Sequence, residues 1–205
     1  MTAELVLYTN PRSRGRIARW MLEEIGEPYR TELLDYGTTM KAPAYLAINP
    51  MGKVPAVSYN GQVVTECAAI CAYLAEAFPA AGLKPKPEER AAYYRWLFFV
   101  AGPVEAAITD SRVLNVEPDA EKQRMVGYGS CAAVIDALSR HFKVNAYVTG
   151  DRFTAADVYV GAQLSWGLAF GTIEKRPEFA DYAKRIGARE AYRSATELDD
   201  KLVKG

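Results

Sequence analysis

Hydrophobic and polar positions follow two different periods along the first 78 residues. Short apolar runs typical of strands alternate there with segments whose apolar residues recur at helical spacing. Residues 4–9 and 28–36 predict two strands, and residues 14–26, with apolar side chains on one face, predict the helix between them. This order predicts that the two strands are parallel and joined by a right-handed crossover.

The remainder of this part predicts a short helix, a hairpin and a longer helix. Residues 42–50 favour the short helix. Residues 54–58 and 62–65 favour two strands that flank Asn60-Gly61, the pair preferred in a two-residue type I′ turn. A helix from about Glu66 to Ala77 completes the order β-α-β-α-β-β-α.

Beyond residue 78 the pattern changes to helices. Residues 79–87 contain three prolines and one glycine and predict a linker. Gly102-Pro103 is expected to kink the first long helix after it, and residues 120–142 predict a second helix. Residues 153–170 are apolar on nearly all sides, which predicts a buried central helix, and residues 176–202 continue with helical spacing.

The predicted fold class is therefore α/β plus all-α. It comprises an N-terminal domain over residues 1–78, the linker at residues 79–87 and an all-helical domain over residues 88–205.

Composition narrows the possible functions. Lys and Arg number 25, as do Asp and Glu, and this balance argues against nucleic acid or an anionic membrane as the main partner. No apolar run approaches the roughly 20 residues that span a bilayer. The first ten residues lack the basic segment of an export signal, so we expect a cytoplasmic protein.

Cysteine and histidine positions do not suggest a metal centre. Cys67, Cys71 and Cys131 are odd in number and lack the spacing of a disulfide framework. The one histidine, His141, is far in sequence from the first two cysteines, so the sequence lacks the ligand spacing of a His/Cys zinc site. We expect no metal or other cofactor, and we expect Cys71 to serve packing alone.

Pro55 and Glu66 each allow two interpretations. A proline is ordinary at a strand entry, whereas a cis peptide at Pro55 would turn the Val54 N–H and carbonyl outward, towards an extended peptide. An acid suits the first turn of a helix because of the macrodipole. The Glu66 carboxylate could instead hold the ammonium group of a ligand whose own carboxylate meets the helix N–H groups. An amino-acid head group carries both the ammonium and the carboxylate that these two positions would bind.

Three features in this order resemble the soluble glutathione transferases. They are "NPMGKVPAV" at residues 49–57, the acid Glu66 at a helix start, and "FTAADV" at residues 153–158. In the last of these, Thr154 and Asp157 have the spacing of a capping box. The resemblance covers nearly the whole chain and implies a thioredoxin-like domain that binds glutathione, a helical second domain and a homodimer.

The resemblance also implies roles for individual residues. The Val54 main chain would pair with the cysteinyl part of glutathione beside a cis Pro55, and Glu66 would hold the γ-glutamyl ammonium. Lys53 and, as the second candidate, Lys41 would face the glycyl carboxylate, although both lysines also suit a solvated surface.

Cys67 departs from the family pattern, which usually has a serine there whose hydroxyl contacts the γ-glutamyl carboxylate. A thiol is a weak donor, so we expect weaker glutathione binding, carried by the Cys67 main-chain N–H. A reactive thiol at the helix N-terminus is the alternative.

The resemblance implies that the catalytic group follows the first strand and keeps the glutathione sulfur as a thiolate. Ser13, immediately before the predicted helix, matches the serine-type classes, and Tyr8, at the strand end, matches the tyrosine-type classes. Asn10, Thr9 or a main-chain donor are further candidates. Ser13 could also be a helix N-cap, and Tyr8 could pack beneath the second domain. We predict Ser13 as the catalytic residue.

The second substrate is expected between the two halves of the chain, on aromatic residues that also suit a helical core: Tyr94, Phe98, Phe99, Trp166 and Phe170. The predicted activity is conjugation of glutathione to a small apolar electrophile. A glutathione-dependent disulfide reductase or peroxidase is the alternative enzyme, although no Cys-x-x-Cys pair is present. A non-catalytic binding protein is the other alternative, and Cys67 favours it.

Overall fold

A four-stranded sheet forms the centre of the first part of the chain. The computed structural model describes residues 4–204. The strands are β1 (Leu5–Thr9), β2 (Arg30–Leu33), β3 (Ala56–Tyr59) and β4 (Gln62–Thr65). They lie in the order β2-β1-β3-β4, with β1 parallel to β2 and antiparallel to β3, which pairs antiparallel with β4. The predicted parallel pair is therefore confirmed.

The turn between β3 and β4 has the predicted conformation. Asn60 and Gly61 have φ angles of 51° and 75°, and the type I′ turn requires a positive φ at both central residues. Tyr59 and Gln62 are paired directly across the turn. The turn therefore fixes which side chains of the hairpin share a face.

Helices cover this sheet through a shared apolar layer. Gly26, with φ 76°, closes the first helix and donates its N–H to the Leu22 carbonyl at 3.0 Å, which confirms the predicted end. Side chains of the first and third helices are buried against each other and the sheet, namely Ile17, Met21, Leu22, Ile70 and Leu74. The helices are α1 (Gly15–Ile25), α2 (Pro43–Leu46) and α3 (Cys67–Ala77).

A separate compact unit, Pro85–Ile186, is helical. The longest helix of this unit begins at Ala155 with Thr154 as its N-cap, the predicted capping box is present there, and the first half of the helix is buried. Short 3₁₀ turns occupy Pro87–Glu89 and Lys122–Arg124 in this unit, and Thr39–Lys41 and Pro79–Ala81 in the first unit. The helices are α4 (Arg90–Phe99), α5 (Glu105–Ile108), α6 (Cys131–Phe142), α7 (Ala155–Phe170) and α8 (Pro177–Gly187).

Two helical segments of this unit differ from a regular α-helix or from the predicted bounds. Around Gly102-Pro103 the chain stays helical and widens to a π turn, Val100–Val104, which accommodates the proline without ending the helix, and the kink expected there stays a prediction. The predicted helix over residues 120–142 begins only at Cys131. Gly129 has φ 70°, and the Ser130 hydroxyl accepts the Ala133 N–H at 3.2 Å, so a glycine and an N-cap start the helix late.

The carboxylate of Asp157 is buried at the start of α7 with four donors around it. The Thr154 N–H and hydroxyl donate to Oδ2 at 2.8 and 3.1 Å. The Val148 N–H and the Tyr182 hydroxyl donate to Oδ1 at 2.8 and 2.9 Å. Burial nevertheless raises the pKa of Asp157 to about 6, because desolvation of the charged form outweighs these hydrogen bonds.

The last helix packs in the same unit as the sheet. This first unit holds the residues up to Lys84 together with those from Gly187 onward. Its final helix, α9 (Glu190–Lys204), lies along α1. The predicted helical domain of residues 88–205 thus contains elements of both units, and its boundaries stay a prediction.

Candidate active site

The loop between β1 and α1 carries Ser13 and is braced by Asn10. The Asn10 Nδ2 donates to the Leu34 carbonyl at 2.8 Å, and its Oδ1 accepts the Arg12 N–H at 2.9 Å. The Asn10 carbonyl accepts the Ser13 N–H at 3.0 Å. The Asn10 amide therefore shapes the loop and ties it to the end of β2.

The half-buried Ser13 hydroxyl has two partners. Its Oγ accepts the Gly15 N–H at 2.9 Å and donates to the Asn10 carbonyl at 2.7 Å. It therefore satisfies the first N–H of α1, although the N-cap of this helix is Arg14 and not Ser13 as the sequence allowed. The helix N-terminus also supplies positive potential to this point.

Tyr8 packs inside the first unit. Its half-buried ring lies 5.8 Å from the ring of Tyr45 and contacts the cluster formed by Met40, Tyr45 and Ala56. These partners all belong to the first unit, so packing of Tyr8 beneath the second domain stays a prediction.

The Val54–Pro55 peptide is cis, as predicted. β3 begins at Ala56, so the main chain of Val54 lies just outside the ladder. The strand entry therefore presents Val54 main-chain groups that the sheet itself does not use.

Two residues that the sequence analysis did not single out hold this strand entry. The Tyr45 hydroxyl and the Asn49 Nδ2 both donate to the Lys53 carbonyl, at 2.6 and 2.8 Å. The Asn49 Oδ1 accepts the Met51 N–H at 3.1 Å. Burial raises the pKa of Tyr45 to about 12, so its phenol stays a donor. An asparagine side chain that accepts the N–H two residues on is a known turn signal, and it could have identified Asn49.

The two candidate lysines lie on the surface beside this loop. Lys41 Nζ donates to the Met51 carbonyl at 3.0 Å, and the Lys53 side chain is exposed. Both ammonium groups remain accessible to an anionic ligand.

Glu66 is the N-cap residue of α3, and its backbone has a conformation that residues other than glycine rarely adopt. Its φ is 65° and its ψ 119°, and its side chain is exposed. Such a backbone costs on the order of 1–3 kcal/mol, and residues of this kind cluster at ligand-binding sites. The sequence predicted an acid at the helix start but gave no indication of this backbone.

Cys67 joins the beginnings of two helices. It is the first residue of α3, it is 8% exposed, and its thiol donates to the Arg14 carbonyl at 3.7 Å, immediately before α1. Cys71, one turn later, is fully buried, and burial raises the pKa of its thiol well above the ordinary value. A thiol that stays protonated suits the packing role expected for Cys71.

The five aromatic candidates of the second unit differ in exposure. Phe98 and Phe170 are 72% and 78% exposed, and Tyr94 is 43% exposed. Phe99 and Trp166 are half-buried. Three of the five therefore offer apolar surface to a ligand.

Residues 4–204 contain neither a metal-binding cluster nor a membrane-spanning helix. No group of three or more His, Cys, Asp or Glu side chains there is arranged to hold a metal ion. Nor does that range contain a helix with the length and hydropathy needed to cross a membrane. His141 packs against the Trp96 ring at 4.5 Å, and burial lowers its pKa.

Comparison with known proteins gives the same family as the sequence resemblance. Residues 13–77 match the family model described as the glutathione S-transferase N-terminal domain. Maleylacetoacetate isomerase of Rhizobium meliloti is 34% identical over 80% of this chain and 82% of its own length. Glutathione S-transferase 3 of Zea mays is 30% identical over 93% and 92%. A sphingomonad glutathione S-transferase, solved in complex with glutathione, superposes with a TM-score of 0.76 at 26% identity, over 95% of this chain and 98% of its own.

A four-stranded mixed sheet with helices, followed by a helical region, is the fold of the glutathione transferase structures. The chain belongs to the glutathione S-transferase family. The predicted family, fold class and enzyme class are therefore confirmed.

Proposed function

We propose that this transferase binds glutathione along the entry to β3 and the start of α3, and joins its sulfur to an apolar electrophile. The observation that carries the proposal is the Val54 main chain, which lies outside the ladder beside a cis proline. An extended peptide can pair with such a main chain as an added strand. The cysteinyl part of glutathione is a peptide of this kind.

The two ends of glutathione match charges on either side of Val54. At one side, Glu66 would hold the γ-glutamyl ammonium, and the N-terminus of α3, with the Cys67 N–H, would take the adjacent carboxylate. At the other side, the exposed Lys41 and Lys53 would face the glycyl carboxylate. Because the Cys67 thiol already donates to the Arg14 carbonyl, the Cys67 N–H is the natural donor to the ligand.

Ser13 would stabilise the thiolate by turning its hydrogen from the Asn10 carbonyl to the glutathione sulfur. The Asn10 carbonyl would keep the Ser13 N–H as a donor. Lowering a thiol pKa of about 8.5 by roughly two units requires about 2.7 kcal/mol. A hydrogen bond to a charged acceptor supplies about 1.5–3 kcal/mol, and a helix N-terminus adds about 0.3–1 kcal/mol. One hydroxyl at the start of α1 is therefore sufficient.

The electrophile would contact the exposed aromatic residues of the second unit. Tyr94, Phe98 and Phe170 provide flat apolar surface, which suits aryl and alkyl electrophiles that carry little charge. We also propose a homodimer, which analytical ultracentrifugation would test. A single species with the 22.6 kDa mass of the chain would rule the dimer out.

A thiolate titration tests the proposal. The ultraviolet absorbance of glutathione bound to wild type, Ser13→Ala and Tyr8→Phe would be followed against pH. We expect a sulfur pKa well below the free value in wild type and in Tyr8→Phe, and a return towards about 8.5 in Ser13→Ala. If Tyr8→Phe alone restores the free value, Tyr8 is the catalytic residue. If glutathione at millimolar concentration does not bind, the binding site proposed here is wrong.

A second candidate reaction is supported by the relative named maleylacetoacetate isomerase, at 34% identity. A thiolate can add to a double bond conjugated to a carbonyl, allow rotation about the resulting single bond and then leave. The exposed Arg12, next to Ser13, carries positive charge that would attract such an acidic substrate. Incubation with maleylacetoacetate and a trace of glutathione distinguishes the reactions, since isomerisation returns the thiol and conjugation consumes it.

A further inference from the structure

The hydroxyl of Thr9 is buried without a hydrogen-bond partner. Thr9 is the last residue of β1, and it is 0% exposed. Among the residues that the structure describes, no group hydrogen-bonds to its Oγ1. Valine would fill the same space without burying an unpaired hydroxyl, and unpaired groups of this kind are rare in proteins. Packing alone therefore does not explain why this position carries a hydroxyl group.

This oxygen lies next to the proposed catalytic serine. A Cβ placed on Gly15 would be 1.8 Å from Thr9 Oγ1 and 2.9 Å from Ser13 Oγ. The two oxygens are therefore no farther apart than the sum of these distances. Because residue 15 is glycine, no side chain of that residue separates them.

Ser13 Oγ has capacity for one more donor. An oxygen of a hydroxyl group carries two lone pairs, and the Gly15 N–H occupies one of them. A second donor to Ser13 Oγ would polarise its O–H bond and strengthen the hydrogen bond that it gives to an anion. Thr9 is the residue placed to be that donor.

We propose that Thr9 is a positioning residue of the transferase. Its hydroxyl donates to Ser13 Oγ while the Ser13 hydrogen is directed to the glutathione sulfur, and this stabilises the thiolate through Ser13. Hydrogen bonds of catalytic groups are commonly long until the substrate is bound and then tighten. The inference rests on the proposed role of Ser13 and adds Thr9 as the residue that donates to the Ser13 oxygen.

Three variants test the role of Thr9: Thr9→Val, which removes the hydroxyl at nearly constant shape, Thr9→Ser, which keeps it, and Thr9→Val combined with Ser13→Ala. The measurements are the sulfur pKa of bound glutathione, the KM for glutathione, kcat for an activated aryl halide, and stability to urea. We expect Thr9→Val to raise the sulfur pKa by about 0.5–1 unit and to lower kcat ~3–10-fold below that pKa. The KM and the stability should be unchanged or improved, and Thr9→Ser should resemble wild type.

The combined variant shows whether Thr9 acts through Ser13. In the Ser13→Ala background, Thr9→Val should cause no further change in the sulfur pKa. Three results would each overturn the inference. The first is a change in the sulfur pKa caused by Thr9→Val that is as large in the Ser13→Ala background as in wild type. The others are equal changes in the sulfur pKa of Thr9→Val and Thr9→Ser, and a Thr9→Val variant that is more stable but has an unaltered sulfur pKa. If Ser13→Ala alone leaves the sulfur pKa of bound glutathione unchanged, the proposed function of Ser13 has failed instead, and Thr9 has no role through it.

Discussion

Arg19 Nε donates a 2.8 Å hydrogen bond to Asp199 Oδ1, and the two residues are 180 positions apart in the sequence. Both side chains are buried, at 4% and 0% exposure, and the pair joins α1 to α9. Among the described residues, Arg19 Nη2 and Asp199 Oδ2 have no partner. The geometry thus fixes the position of the last helix while leaving part of each charged group unsatisfied.

Removing one partner of this pair should destabilise the protein strongly. We expect Asp199→Ala to lower the free energy of unfolding by about 3–5 kcal/mol, because it leaves the Arg19 guanidinium buried without its counter-ion. The double variant Arg19→Met with Asp199→Leu should recover most of this loss. Urea unfolding measures both. As a control, Glu4→Gln, in the exposed pair with Arg30, should cost less than about 1 kcal/mol. A loss that small in Asp199→Ala would contradict the expectation.

Gly15 should not tolerate a side chain, because Thr9 Oγ1 lies 1.8 Å from the position of its Cβ. We expect Gly15→Ala to lower the free energy of unfolding by about 1–3 kcal/mol through overpacking, and Thr9→Ala to restore part of that loss in the double variant. Gly102→Ala is the matched control, since nothing lies within 4 Å of the corresponding position and the residue is also helical. Additive effects of the Gly15 and Thr9 changes would show that the contact is not responsible.

Two substitutions of Glu66 should separate the role of its carboxylate in ligand binding from the strain of its backbone. Glycine adopts positive φ readily, so Glu66→Gly should be about 1 kcal/mol more stable than Glu66→Ala, which keeps the strained φ of 65°. Both variants lack the carboxylate, so both should bind glutathione ~10–100-fold more weakly. Thermal unfolding and calorimetric titration with glutathione give the two quantities. Glutathione affinity that survives in either variant argues against a contact with Glu66.

Asp157 should make stability depend on pH. Its folded pKa is about 6, above the ordinary value of 3.8, so the folded chain binds more protons than the unfolded chain between these values. The free energy of unfolding should therefore fall as the pH rises through this window, by up to about 3 kcal/mol. The Asp157→Asn variant lacks this titration, and the difference between wild type and variant isolates it. A difference that is constant with pH, or one that grows in favour of wild type, would mean that the four donors keep the carboxylate ionised.

Features set by local chemistry could be predicted from the sequence. The Asn60-Gly61 turn, the end of α1 at Gly26 and the capping box of Thr154 with Asp157 depend on residues within a few positions of one another. The late start of α6 was also a local feature, but helical periodicity over residues 120–142 obscured the glycine and serine that determine it. Candidate ligand contacts at Val54 and Glu66 came from the chemistry of the residues themselves, and the family resemblance added glutathione as the ligand.

Contacts between distant residues could not be predicted in this way. The Cys67 thiol meets the Arg14 carbonyl only because α1 and α3 pack side by side. The bracing of the Lys53 carbonyl by Tyr45 depends on how a loop folds back, and no periodic pattern encodes it. Predicting that α9 packs on α1 requires knowing which helix contacts the apolar face of α1. Helical periodicity identifies the apolar face of a helix but not the element that packs against it.

The packing of α9 on α1 has a consequence for the order in which the protein is made. Synthesis proceeds from the N-terminus, so α1 leaves the ribosome long before residues 187–204 exist. Until then the Arg19 guanidinium has no access to Asp199, and the unit that contains the sheet lacks one of its helices. That unit is therefore first in the chain but is completed only after every residue of the helical unit has been translated.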